Sequence, residues 1–235
     1  MSRRNPLAAA AECCQKNCRL YQHAFLGMLA VVLISVAGCS SGGGSESAGE
    51  SSRESASNRD TMRYPEHPVV EIDTNAGVIR VKLDAVNAPY TVRNFLDYVS
   101  NGFYDNTLIH YVAADKMILG GGYAVDRQPK LVGAAVRNEA HNGLKNVRGT
   151  IAMARDAAAG IDSATTQFFL NLADSPNFDH RGDGPEEYGY CVFGEVVEGL
   201  DVADEISRSA TDDHGGDLAL TPVPPVVVKS IRVVE

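Results

Sequence analysis

The apolar positions of this chain fall into one continuous run, one long gap and then a series of short alternations. The run is Ala24 to Val36, broken only by Gly27 and Ser35. At about thirteen residues it is too short to span a bilayer, and with a basic stretch ahead of it the segment has the form of a secretion signal. The gap follows almost at once. From Ser40 to Asp60 the chain reads SSGGGSESAGESSRESASNRD, too poor in apolar side chains to offset its own ordering entropy. It reads as a tether with a typical reach of roughly 25 Å.

Beyond residue 67 the alternations begin. Val69 to Thr74 and Val78 to Leu83 flank the turn-prone Asn75-Ala76-Gly77, and Ile79 to Leu83 alternates apolar with charged as a half-buried strand does. Ala88 to Ser100 changes period: Pro89 suits a first helical turn, and Val92, Phe95, Leu96 and Val99 recur at helical spacing until Asn101-Gly102 ends the pattern. Leu108 to Gly122, LIHYVAADKMILGGG, reads as strand, turn and a second short strand stopped by a flexible glycine exit. Thr150 to Met153, Gln167 to Asn171, Tyr190 to Val197 and Val226 to Val234 are further strands, and Gly199 to Ser207 is a second amphipathic helix. Many short strands with two helices and no βαβ alternation predict an antiparallel sheet closed on itself, with helices at its ends.

Composition narrows the function. The chain has 235 residues and 44% hydrophobic content, enough for one substantial core. Its formal net charge is −9, and the first 38 residues hold four basic side chains against one acidic, so the remainder is more acidic still. Such a surface repels phosphate backbones and excludes a nucleic-acid partner. Three of the five cysteines, Cys13, Cys14 and Cys18, lie in the signal segment. Loss of that segment leaves Cys39 and Cys191, with no disulfide framework within one chain once Cys39 is modified.

Several chemistries fail on residue types. There is no G-x-S-x-G elbow, no Walker-type loop, no G-x-G-x-x-G after a strand and no H-E-x-x-H. Gly120-Gly121-Gly122 alone is weak evidence for a phosphate site. His110, His141, His180 and His214 are scattered without ligand spacing, and CC-x-x-x-C has no partner histidines, so no metal is expected. Asp179, Asp183, Glu186 and Glu187 do not follow the EF-hand pattern and read as a solvated charge run.

Two resemblances go further. Val36-Ala37-Gly38-Cys39 resembles the lipobox of bacterial lipoproteins, in which the cysteine is lipidated and becomes the mature N-terminus. Several acyl chains on Cys39 would anchor the protein stably, at roughly 0.8 kcal/mol per buried methylene. The segments NEAHNGLKNVRGTIAMAR (138–155), SATTQFFLNLAD (163–174), YGYCVFGEVVEGLDVADEI (188–206) and APYTVRNFLDYVSNGFYDNTLIH (88–110) resemble the bacterial branch of the cyclophilins, the peptidyl-prolyl isomerases. The likeness runs collinearly through residues 67–235. It implies a mainly β fold, a closed eight-stranded antiparallel β-barrel capped by two helices. The expected organisation is a lipoprotein signal peptide at 1–38, a lipidated cysteine and tether at 39–66, and a cyclophilin-like domain at 67–235.

The resemblance also assigns a site. It implies Tyr111, at the family's arginine position, and Gln167 as catalytic residues, and Met117, Leu119, Ala154, Arg155, Phe169, Phe178 and Tyr190 as substrate-binding. Lys116 and Asn177 put polar groups where the family commonly has aromatic ones. Tyr111 offers an O–H donor that is neutral and lacks the guanidinium fork. The expected activity is therefore cofactor-free isomerisation of X-Pro bonds at reduced efficiency, with Arg155 or Lys116 as substitute donors. The alternatives are a weak or inactive peptide-binding scaffold and a purely structural envelope lipoprotein. The expected partners are proline-containing polypeptides and, through Cys39, a membrane; the expected state is a monomer in the bacterial cell envelope, facing periplasm or exterior.

Overall fold

The computed structural model describes residues 64–156 and 158–235. The signal segment 1–38, Cys39 and nearly all of the expected tether lie outside the described residues. In chain order the elements are β1 (Val69–Thr74), β2 (Val78–Leu83), α1 (Pro89–Ser100), β3 (Thr107–Ala113), β4 (Met117–Ala124), β5 (Thr150–Met153), β6 (Phe168–Asn171), β7 (Val192–Glu198), α2 (Leu200–Ser207), β8 (Ala210–Asp212), β9 (Thr221–Val223) and β10 (Val226–Val233). Eight of these strands close into an antiparallel barrel in the order β1-β10-β3-β4-β6-β5-β7-β2, and β8 pairs only with β9.

The alternation in β2 does what its sequence predicts. Ile79, Val81 and Leu83 are buried in the barrel, while Arg80 points outward and bonds Glu71 and Glu198 on the two neighbouring strands. Contact with the barrel begins before β1: the Ala85 amide donates to the Glu66 carbonyl, and Tyr64 Oη donates to Asp97.

Helix α1 closes the barrel through the residues its periodicity marks, Val92, Phe95, Leu96 and Val99. Phe95 lies 5.2 to 5.6 Å, centroid to centroid, from Tyr104, Phe168 and Phe193. The helix has no local side-chain cap. Its first amides donate instead to Glu139, at 3.2 Å from Tyr90 N and 2.8 Å from Thr91 N, so a carboxylate 48 residues downstream sits at the positive end of the helix.

One expectation needs correction. Gly120 to Gly122 are not a flexible exit: β4 runs through all three, and they are buried. They are glycines because of what presses on them. A Cβ on Gly121, at φ +86°, would lie 2.8 Å from the Thr166 carbonyl, and one on Gly122 would lie 2.8 Å from the Gln167 amide. Strand β3 is buried on both faces. The β8–β9 excursion, which the alternation does not predict, covers it: Val112 N donates to the Leu220 carbonyl and Thr221 Oγ1 to the His110 carbonyl.

Candidate functional site

The barrel register lays one continuous row of side chains across its outer face. Tyr111 on β3 pairs with Leu119 on β4, Leu119 with Phe169 on β6, Phe169 with Ala152 on β5, and Ala152 with Val192 on β7. Because side chains alternate across a strand, the adjacent row Val112, Ile118, Leu170 and Ile151 points the other way, into the barrel. Apart from Tyr111, which is 7% exposed, the row belongs to a second apolar cluster, separate from the core: Met117, Ala152, Ala154, Phe169 and Val192, with Ala113, Leu119, Leu144, Phe178 and Tyr190 packed against them.

Its wall is aromatic. Phe169, Phe178 and Tyr190 stand 5.0 to 5.7 Å apart in edge-to-face pairs, the arrangement ring quadrupoles favour. Phe178 and Tyr190 end a surface loop whose neck is closed by Tyr190 N donating to the Phe178 carbonyl at 2.8 Å. Three asparagines spaced by four residues hold this loop and the start of β7. Asn138 Nδ2 donates to the Gly189 carbonyl at 3.1 Å, Asn142 Nδ2 to Val192 at 3.0 Å, and Asn146 Nδ2 to Phe178 at 3.0 Å and Tyr190 at 3.3 Å. Asn146 is 1% exposed; its amide N–H donates to Asp179 Oδ1, and its Oδ1 accepts from Asn171. Asp179 is thus tied into this network rather than standing in a solvated charge run.

The structure thereby brings Met117, Leu119, Ala154, Phe169, Phe178 and Tyr190 together, with Tyr111 at the end of the row as the strand partner of Leu119. Arg155 joins them with its guanidinium 5.2 Å from the Tyr190 ring centre, its Nε donating to the Gly189 carbonyl and its Nη2 to Pro185. It clamps the wall from behind. Lys116 and Asn177 are exposed at the rim; neighbouring Asp115 is held by Arg208 at 2.7 Å. Gln167 lies against Gly122, and its carbonyl accepts from Ala154 N at 2.9 Å. Leu144, Ala152, Val192 and the asparagines were not among the residues the sequence pointed to. The four-residue asparagine spacing is the signal that would have found the last of these.

Two buried groups set the electrostatics nearby. His110 is fully buried beside the Tyr123 ring, 4.7 Å between centres. Burial pushes its pKa down to about 4, with the Leu108 carbonyl and Gln167 amide opposing weakly, so the ring is neutral at neutral pH. No hydrogen bond of ordinary geometry reaches either ring nitrogen among the described residues. Burial also pushes the Cys191 thiol up to about 12, which leaves no thiolate for chemistry.

Comparison with known proteins gives one consistent result. The family model described as cyclophilin type peptidyl-prolyl cis-trans isomerase/CLD matches residues 69–233. Peptidyl-prolyl cis-trans isomerase A of Dickeya dadantii is 45% identical over 166 residues, covering 71% of this chain and 84% of its own length. Peptidyl-prolyl cis-trans isomerase B of Escherichia coli is 44% identical over 167 residues, 71% of this chain and all of its own length. Among solved structures, a Cryptosporidium parvum cyclophilin type isomerase superposes with a TM-score of 0.58 at 23% identity, covering 72% of this chain and 98% of its own; it has also been crystallised with the dipeptide Ala-Pro.

Proposed function

The chain belongs to the cyclophilin-type peptidyl-prolyl cis-trans isomerases, and we propose that the outer-face row from Tyr111 to Val192 is where it turns over X-Pro bonds. The observation that carries this reading is the apolar patch itself. An aromatic wall of Phe169, Phe178 and Tyr190 beside Met117 and Leu119 offers a proline ring a surface to pack on.

Rotating a peptide bond costs about 18 to 20 kcal/mol because the twisted amide loses conjugation. No bond to the protein is required. A site lowers the barrier by holding the ring and aiming a donor at the amide nitrogen, whose lone pair is available only in the twisted state. Tyr111, at one end of the row, supplies the hydroxyl that approaches this nitrogen, and Gln167 orients the substrate backbone. A neutral phenol stabilises the developing charge less than a guanidinium does. The enzyme therefore works on proline-containing polypeptides at reduced rate, without a cofactor.

Replacing Tyr111 with arginine tests this. In a protease-coupled assay on X-Pro peptides, Tyr111→Arg should raise kcat/KM by about 10² to 10³, the scale on which one transition-state donor acts. A wild type at background that gains activity on this change is a peptide-binding scaffold with the site where we place it. A wild type that is already fast, and that Tyr111→Arg does not improve, removes Tyr111 from the mechanism.

The lipobox-like VAGC motif and the polar stretch behind it support a place in the bacterial cell envelope, with a monomeric domain anchored through lipid on Cys39 and folding exported clients. No helix among the described residues is long and apolar enough to cross a membrane. Cys39→Ala should shift the protein from the membrane to the soluble fraction on cell fractionation; retention in the membrane would reject the lipid anchor.

A further inference from the structure

Between β4 and β5 the chain crosses the outside of α1, antiparallel to it. Lys130 Nζ donates to the Phe103 carbonyl just past the helix and lies 4.5 Å from the centre of that ring. Gly133 N donates to Tyr98 Oη at 2.8 Å, and Glu139 holds the Tyr90 and Thr91 amides at the helix start. Pinned at these points, the segment shows solvent Leu131-Val132-Gly133-Ala134-Ala135, a run of exposed residues without one polar side chain. Leu131 is 86% exposed. Tyr90, at 54%, puts an aromatic ring at the other end of the same strip, roughly 12 Å along the helix from Tyr98. Residues 125–137 carry Arg127, Lys130 and Arg137 against Asp126 alone, in a chain of formal net charge −9. Arg127 and Arg137 are exposed and form no ion pair among the described residues, whereas Arg80, Arg148, Arg208 and Arg232 are each held by a carboxylate.

We propose that this strip is a membrane-contact face that rests on anionic lipid. Shape and charge choose the occupant together. A side chain as exposed as Leu131 projects from the surface, so what covers it must close around it, as the acyl boundary of a lipid layer does. Arginines without carboxylate partners flank the apolar run, and basic side chains beside apolar ones, with an aromatic ring at the border, are the pattern of interfacial binding to anionic headgroups. The acidic remainder of the surface is repelled by the same headgroups, which fixes the orientation. One leucine and two arginines bind weakly by themselves; the strip sets how the domain lies on a membrane. The contact involves neither the aromatic wall nor Cys39, and it stands whether or not Cys39 carries lipid.

The sequence has no tryptophan, so Leu131→Trp in the full chain gives a single fluorescent reporter, and Val197→Trp, at a 52% exposed site on β7 beside α2, gives its control. Both positions are exposed enough to accept the ring, and circular dichroism identifies the folded variants. With excess vesicles of phosphatidylglycerol and phosphatidylcholine, the emission of Leu131→Trp should shift to the blue and be quenched by brominated acyl chains; that of Val197→Trp should do neither. Added to Leu131→Trp, Arg127→Gln and Arg137→Gln should each raise the lipid concentration at half-shift about fivefold, the contribution of one basic side chain near an anionic surface. Salt should act in the same direction. An unmoved reporter at position 131 overturns the proposal, as do equal responses at positions 131 and 197. An equal response to phosphatidylcholine alone overturns it too, because the tryptophan is then binding on its own account. So does a blue shift without lipid: one that grows with protein concentration assigns the strip to a second copy, and one that follows an X-Pro peptide assigns it to substrate. The lipid anchor is read separately by fractionation of Cys39→Ala, so either reading can fail without the other.

Discussion

At the scale of single residues, Asn146 holds the aromatic wall from behind. It is buried, yet it bonds the carbonyls of both Phe178 and Tyr190 and accepts from Asn171. Removing its amide takes a donor from the Tyr190 carbonyl, a loss of about 1 to 3 kcal/mol in a dry environment, while the Phe178 carbonyl keeps Tyr190 N and the Asn171 amide keeps Thr150 Oγ1. Asn146→Ala should lower the unfolding free energy by about 2 kcal/mol in urea titrations. It should also raise KM more than it lowers kcat, because it loosens the wall proposed to hold the ring and leaves the proposed donor, Tyr111, in place. Unchanged KM in a destabilised variant would assign Asn146 to the fold alone. The residue types of the site were legible before its geometry: Met117, Phe169, Phe178 and Tyr190 could be placed by resemblance. The commitment of Arg155 to the Gly189 and Pro185 carbonyls could not, because a sequence names a donor without naming its acceptor.

At the scale of elements, β4 shows where local reading goes astray. Three successive glycines carry no side chains for a period to act on, so the pattern predicts a stop. The strand continues because β3 and β6 pair with it, and glycine is what the close approach of Ile109 at 120 and of Thr166 and Gln167 at 121 and 122 requires. Gly121→Ala combines φ +86° with a contact of 2.8 Å to a backbone carbonyl that has no rotamer by which to move away. The expected cost is about 2 kcal/mol or more, read from thermal or urea unfolding; an alanine variant as stable as wild type would mean that β4 and β6 separate readily. Helix α1 gives the complementary lesson. Its apolar face, Val92, Phe95, Leu96 and Val99, follows from spacing alone, whereas its cap, Glu139, lies 48 residues away and has no local signal.

At the scale of the whole molecule, barrel closure buries His110 completely, and this ties global stability to pH. Above about pH 6.5, its ordinary value, the ring is neutral in the folded and unfolded chain alike. Below that value the unfolded chain binds a proton that the buried ring, at about 4, refuses. Stability therefore falls as pH drops from about 6.5 towards 4 and levels off beneath, with a loss of about 2 kcal/mol between pH 7 and pH 5. Urea midpoints across that range should show the slope in wild type and not in His110→Phe; parallel slopes would locate the acid sensitivity elsewhere. The sequence by itself determined the periods: which stretches are the eight barrel strands, which are the two helices, and that an antiparallel sheet with helices at its ends results. Those follow from local sterics and from which side chains avoid water, both written residue by residue. Only the tertiary structure decided that Tyr111, Leu119, Phe169, Ala152 and Val192 form one line across four strand pairings. Register between strands far apart in sequence is fixed by barrel closure and by core packing on the opposite face, and no single segment contains that information.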